Sequence, residues 1–216
     1  MEPDLAAEIE AKLGALPPAV TAVNLKRKTI FMDRWIRHGG RYPLTLLRIW
    51  RSGKAHVEDR WMDEHMLLDE GRAVTFEGGF ADHNLHDLGR FTAKHNGYAT
   101  REAVQLLLER HVLRGAGERP LASVTPQAAL KRMAKNNLYG RTPFPLDALA
   151  YFLYRYVLRG GFLDGREGVI YHVLQGFWYR FLVGAKLIEF RRGLHGVRDP
   201  EAARAILARL SGLHLE

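Results

Sequence analysis

Four carboxylates fall within seven residues, Glu58, Asp59, Asp63 and Glu64, and His65 follows them directly. Acids this dense suit general-base chemistry, in which a carboxylate takes the proton of an attacking hydroxyl. A second pair, Asp82-His83, stands downstream, and both residue types are ligands that a divalent cation accepts. The run RWIRHGGRYP (Arg34–Pro43) precedes the acids and KHNGYATREA (Lys94–Ala103) follows them, each rich in groups that grip a sugar or a phosphate. Trp35, Tyr42 and Trp61 offer flat faces for sugar rings, and Arg37, His38, Gly39 and Gly40 form a loop beside them. No segment upstream of the acids has the pattern of a nucleotide site. The competing reading is structural: the acids cap a helix or pair with Arg60, the tryptophans Trp35 and Trp50 fill a core, and His83 is a buried histidine bonded to a nearby carbonyl.

These groups need elements to hold them. Asp4–Leu16 repeats Leu5, Ile9 and Leu13 on one face and stops at Pro17-Pro18, which predicts a helix. Val20–Phe31 and Leu44–Trp50 are rich in β-branched and apolar residues and predict strands. Between them His38-Gly39-Gly40 is a turn that tolerates left-handed backbone. Ala73–Phe76 predicts a short strand closed by Gly78-Gly79. Beyond His83 the periodicity turns helical over Leu85–Ala93, Thr100–Leu113, Pro126–Asn136, Leu146–Leu158, Glu167–Phe190 and Pro200–Leu210. The expectation is an α/β fold turning mostly α, with a boundary between residues 1–99 and 100–216.

At 216 residues the chain can bury a substantial core, and it contains no cysteine, which excludes disulfides and Cys-ligated zinc. The N-terminal MEPDLAAEIEAKL is acidic, unlike a targeting segment, and no run of about eighteen uncharged apolar residues exists. The net charge is +8, and from Lys131 to Glu216 there are 14 Lys and Arg against 7 Asp and Glu. Those cations are mixed with bulky apolar residues, which favours an anionic membrane surface over nucleic acid.

The blocks RWIRHGGRYPLTLLRIWRSGKAHVEDRWMDEHM and KHNGYATREA, with the later YFLYRYVLRGGFLDGREGVIYHVLQGFWYRFLVGAKLIEF, resemble the C-terminal portion of bacterial family 2 glycosyltransferases. These are inverting GT-A-fold enzymes of lipopolysaccharide-core and polysaccharide assembly. The resemblance implies a partial GT-A-like mixed sheet followed by a helical extension. It also implies a nucleotide-sugar donor, a lipid-linked glycan acceptor, and a base at Glu64 with Asp63 as the second candidate. Trp35, Arg37, His38, Gly39, Gly40, Tyr42 and Trp61 would then lie near the acceptor, and Asp82 and His83 near a divalent metal, manganese or magnesium. Members of the family begin with a nucleotide-binding half that ends in Asp-x-Asp. This chain starts at Met1, just before the helix that follows that motif in relatives, and contains no Asp-x-Asp. The expectation is therefore a truncated or split enzyme, weakly active or inactive alone, with no metal held tightly.

In Glu167–Phe190 the residues Ile170, Val173, Leu174, Phe177, Phe181, Leu182, Ala185 and Ile188 form one predicted stripe at α-helical spacing. Phe177, Trp178 and Tyr179, with Arg166, Arg180 and Lys186 beside them, suit a helix lying at a membrane surface. The expected location is cytoplasmic, peripheral on the inner face of the inner membrane. Two other readings stand beside the transferase. One is a non-catalytic membrane-surface or partner-binding module that pairs with a separate donor half. The other is a metallohydrolase built on Asp63, His65, Asp82 and His83. Donor sugar, acceptor, linkage and oligomeric state are not set by the sequence.

Overall fold

A computed structural model describes residues 2–58, 65–113 and 145–215, with the backbone alone over 110–113. Glu64, Asp63 and Trp61 therefore lie outside the described residues, as does the helix expected over Pro126–Asn136. The described chain is mixed α/β and forms two compact units. One comprises residues 2–58, 65–86 and 151–173, and the other residues 87–113, 145–150 and 174–215.

The first unit is organised around β1 (Val20–Phe31), which is hydrogen-bonded along both edges. Val20, Thr21, Ala22 and Val23 are all buried in succession, as a strand covered on both faces requires. This double burial is why the strand alternates only imperfectly in sequence. Along one edge β2 (Arg34–Ile36) and β3 (Leu44–Trp50) pair antiparallel with it. Met32 and Asp33 connect β1 to β2 in a two-residue turn, both with positive φ, the geometry that matches strand twist in a tight hairpin. A separate two-stranded ribbon joins β4 (Ala55–Val57) to β5 (Met66–Leu68). Along the other edge of β1 runs β6 (Arg72–Asn84), parallel to it.

The strand expected over Ala73–Phe76 is thus thirteen residues long and passes through Gly78-Gly79 instead of ending there. The glycines are needed because other backbone comes too close for a side chain. A Cβ on Gly78 would lie 2.7 Å from the Leu5 Cα of helix α1 (Pro3–Lys12), and one on Gly79 would lie 2.6 Å from the Lys26 carbonyl oxygen. Glu8 of α1 accepts hydrogen bonds from the N–H groups of Glu77 and Gly78 at the same point. Leu5, Val23, Leu25 and Phe76 form the core beneath. Trp50, expected in a core, is 40% exposed. It alternates with Ile49 at the end of β3, and it is Ile49 that packs against this core.

In the second unit α2 (Leu88–Leu113) is one helix where a break and a fresh start at Thr100 were expected. Gly97 faces open space, so it neither needs nor causes a break. The boundary expected at residues 99–100 falls within this helix. Helix α3 (Leu146–Leu153) begins in the second unit and ends in the first, where a π-helical turn over Tyr154–Leu158 and a 3₁₀ turn over Gly161–Asp164 follow it. Helix α4 (Gly165–Tyr171) continues through a π-helical run, His172–Trp178, into α5 (Tyr179–Gly193). The expected single stripe over Glu167–Phe190 does not form, because a π turn holds more residues than an α turn and shifts the phase behind it. Tyr171 and His172 are buried before the π-helical run has turned, and Val183, Leu187 and Phe190 in α5, whereas Val173 and Ile188 are exposed.

Helix α6 (Pro200–Ser211) starts with Asp199 accepting from the Ala202 N–H and Pro200 at its first turn. Its Leu207 is fully buried with Ala103, Val104, Val183 and Leu187. Leu207→Ala is expected to cost about 2–5 kcal/mol, read as a lower urea midpoint for the unit.

Candidate functional site

The turn after β2 is the best-organised polar feature of the first unit. Arg37 and His38 direct their N–H groups at the carboxylate of Asp164, at 3.1 and 3.0 Å, and the His38 ring places Nδ1 2.7 Å from Asp164 Oδ1. Asp164 is 2% exposed, and its partners lie more than 120 residues away in the chain. The next residue, Gly39, donates its N–H to the Arg159 carbonyl at 3.0 Å and accepts from Arg155 Nε at 3.0 Å. Gly39 and Gly40 both have positive φ, so the turn uses the freedom only glycine supplies cheaply.

Behind the turn sits His172, with no exposed surface. The ring lies against two glycine backbones: a Cβ on Gly39 would come within 2.1 Å of its Cε1 and a Cβ on Gly161 within 2.8 Å of its Cδ2. His172 Nε2 is 3.6 Å from Asp164 Oδ2, beyond hydrogen-bond distance, and neither ring nitrogen has a hydrogen-bond partner. Burial, and then the positive charge of Arg155, lower its pKa to about 4, against a smaller opposing pull from Asp164. The imidazole is therefore neutral at pH 7. Arg155, 3% exposed, has its own proton affinity lowered mainly by burial.

Trp35 and Tyr42 stand at the two ends of the turn and meet edge to face, ring centroids 5.0 Å apart. Lys28 and Arg37 each place a cation near the Trp35 ring, at 4.9 and 5.3 Å. The structure thus brings together six of the seven residues assigned to the acceptor, Trp35, Arg37, His38, Gly39, Gly40 and Tyr42. Trp35 and Tyr42 are half-buried, so their exposed parts are what a sugar could meet.

Asp82 and His83 are not brought together. Adjacent strand residues point to opposite faces, and each has its own partner: Asp82 lies 3.4 Å from Arg27, and His83 Nε2 lies 3.0 Å from Asp33. The pair does not fit a shared divalent ion, and no group of three or more metal-ligating side chains occurs among the described residues. His65 lies 3.5 Å from Glu58, at the edge of the acidic segment.

The surface residues divide. Arg166 is exposed, whereas Phe177, Trp178, Arg180 and Lys186 are half-buried. Tyr179 turns toward α2 and donates its hydroxyl to the buried Glu102. No helix among the described residues is long and apolar enough to cross a membrane.

Asp164 and His172 were not singled out from sequence, and Arg155, which its spacing with Phe152, Tyr154 and Tyr156 assigns to a membrane surface, is buried instead. The available signal was an acid between glycines in GGFLDG and one histidine in an apolar stretch. No protein-family model matches the chain, and no solved structure matches it.

Proposed function

We propose that the chain is the acceptor-side portion of an inverting glycosyltransferase with a GT-A-like fold, moving a sugar from a nucleotide donor to a lipid-linked glycan. The observation that carries this reading is the turn Arg37–Tyr42, held in one geometry by the buried Asp164 and Arg155 and bordered by Trp35 and Tyr42. A fixed turn with aromatic faces suits a sugar, whose hydroxyls need donors and acceptors at set positions and whose ring face stacks on aromatics. In this reading Glu64, with Asp63 as the alternative, removes the proton as the acceptor oxygen bonds to the anomeric carbon. The bond to the departing diphosphate breaks with inversion. The donor is held by a half that this chain does not contain, working at the inner face of the inner membrane.

A transfer assay with a panel of nucleotide sugars and manganese or magnesium tests this, on the chain alone and joined to the residues encoded upstream. The expected result is transfer by the joined form, with Glu64→Gln lowering kcat by about 10²–10⁴-fold while donor binding persists. No transfer in either form, or an unaffected Glu64→Gln, overturns it.

A second reading, a membrane-surface module without catalysis, draws on a different observation. Leu153, Val157, Leu158, Phe162 and Leu163 are exposed, with the exposed cations Arg159 and Arg166 among them. Sedimentation with anionic vesicles, in a protein that transfers no sugar, would favour that reading.

A further inference from the structure

The turn Arg37–Tyr42 spends its backbone donors inside the protein. The N–H groups of Arg37 and His38 point at Asp164, that of Gly39 at the Arg159 carbonyl, and that of Arg41 at the His38 carbonyl 3.2 Å away. Converging N–H groups of this kind are the usual backbone cradle for a bound anion. Here the cradle already holds one, the buried carboxylate of Asp164. A phosphate or carboxylate arriving from outside finds these donors taken.

What the turn offers outward is the His38 side chain, 37% exposed. Its Nδ1 lies 2.7 Å from Asp164 Oδ1, and an ionised carboxylate only accepts. In the neutral ring the proton therefore stands on Nδ1, and Nε2 carries the lone pair. Burial makes this contact effective. His56 and Asp69 meet at the same 2.7 Å, but with side chains 56% and 44% exposed, where water competes for both. The main chain around His38 is also held, through Arg37 before it and through Gly39 after it, whose carbonyl accepts from Arg155. Backbone, ring and tautomer are thus set before any ligand arrives.

We infer that Asp164 makes His38 Nε2 a fixed hydrogen-bond acceptor, so that the turn takes its ligand through a donated O–H: a hydroxyl of an uncharged sugar, not a phosphate or a carboxylate. Trp35 and Tyr42, half-buried at the two ends of the turn, supply the flat apolar faces a sugar ring needs beside that hydroxyl. Asp164 is a positioning residue, since it touches His38 and not the ligand. The rival occupant is an anion at Arg37 and Arg41, whose guanidinium carbons lie 5.3 and 5.5 Å from the ring centroids of Trp35 and Tyr171. That the sugar is the acceptor of a transfer rests on the transferase reading; the polarity of the turn does not.

Nitrogen-15 NMR of the full chain at about pH 8, above the ordinary histidine value, tests this. The His38 ring proton is expected on Nδ1, its signals identified by their loss in His38→Asn. Titration with the methyl glycosides of glucose, galactose, mannose and N-acetylglucosamine should move the Nε2 resonance saturably for at least one of them. Pyrophosphate should leave it in place. His38→Asn separates the two edges of the ring: its amide N–H can still reach Asp164 as Nδ1–H does, and nothing remains where Nε2 stood. The variant should melt close to the wild type yet bind that glycoside roughly 3–10-fold more weakly, the worth of one hydrogen bond, followed at the Trp35 indole signal. In the form joined to the upstream residues it should raise the KM for the glycan acceptor by the same factor and leave kcat nearly unchanged.

A proton on Nε2, no saturable shift with any glycoside, or glycoside binding unaltered by His38→Asn would overturn the inference. So would pyrophosphate moving the resonance in place of the glycosides, which would assign the turn to an anion at Arg37 and Arg41. If His38→Asn fails to fold, the wild-type tautomer and titrations still decide. Glycoside binding in a protein that transfers no sugar would sink the transferase reading and leave the fixed acceptor standing. Transfer by a joined His38→Asn form kinetically identical to the wild type would do the reverse.

Discussion

Gly39→Ala is expected to unfold the first unit at temperatures where the wild type is intact. The added methyl would lie 2.1 Å from His172 Cε1 and 2.7 Å from Nε2, and the ring cannot retreat because the Gly161 backbone lies against it. Strain adds to the clash, since Gly39 has φ +66 and a left-handed backbone costs a residue with a Cβ about 1–2 kcal/mol. Overpacking of this kind adds about 1–3 kcal/mol, and the trapped ring places this case at the upper end. A total near 4 kcal/mol is a large share of the ~5–15 kcal/mol that holds a typical domain folded. Urea unfolding of the variant would show it as a shifted midpoint. Gly53→Ala is the control: its φ is +72 and nothing lies within 4 Å, so only the backbone strain should appear. Removing the ring should relieve the clash, so Gly39→Ala combined with His172→Ala should be more stable than the sum of the single changes. Strict additivity would show that the ring and the turn do not touch in solution.

Acidification from pH 6.5 to pH 4 should destabilise the first unit through His172. Its pKa is about 4 when folded against 6.5 for the ordinary side chain, because burial and Arg155 disfavour its charged form. Between those values the unfolded chain binds a proton that the folded chain refuses, so stability is fully present above pH 6.5 and falls until pH 4. The gap corresponds to on the order of 3 kcal/mol. Below pH 4 both states carry the proton and this contribution stays constant. Glu8, whose pKa is lowered mainly by Lys12, acts in a separate window, below the ordinary carboxylate value of 4.5. Unfolding midpoints at pH 7 and pH 4.5 separate the two, and His172→Gln should flatten the difference between them. An equally steep loss in His172→Gln would place the acid sensitivity elsewhere.

What could be read in advance was local. Val20–Phe31 and Leu44–Trp50 have the limits their composition predicts. The glycines after His38 form the permissive turn, and Pro200 opens α6. Misreadings arose where a local signal met a distant neighbour. Gly78-Gly79 looked like the end of a strand because glycine usually punctuates, yet here it makes room for α1 and for the backbone of β1. Leu85–Ala93 and Thr100–Leu113 looked like two helices with a start at Thr100, and the chain runs through as one, α2. The periodicity of Glu167–Phe190 assumed 3.6 residues per turn, which the π-helical run sets aside. The polar network behind the turn was illegible for the same reason: Asp164 and Arg155 acquire their roles only when the turn folds against them, and nothing in their own neighbourhood marks the partner. The acidic run, the most conspicuous feature of the sequence, overlaps the undescribed residues 59–64.

The parallel partnership of β1 and β6 has a bearing on how the chain leaves the ribosome. β2 and β3 are translated straight after β1 and can zip onto its first edge as they emerge. The opposite edge, opposite Arg72–Asn84 in the finished sheet, waits for that segment, several seconds at synthesis rates of ~5–20 residues per second. During that interval Val20–Val23 present unmet N–H and carbonyl groups together with apolar side chains, the combination on which nascent chains stick to one another. Protein made slowly, or crowded on one message, is most vulnerable before Asn84 has been added.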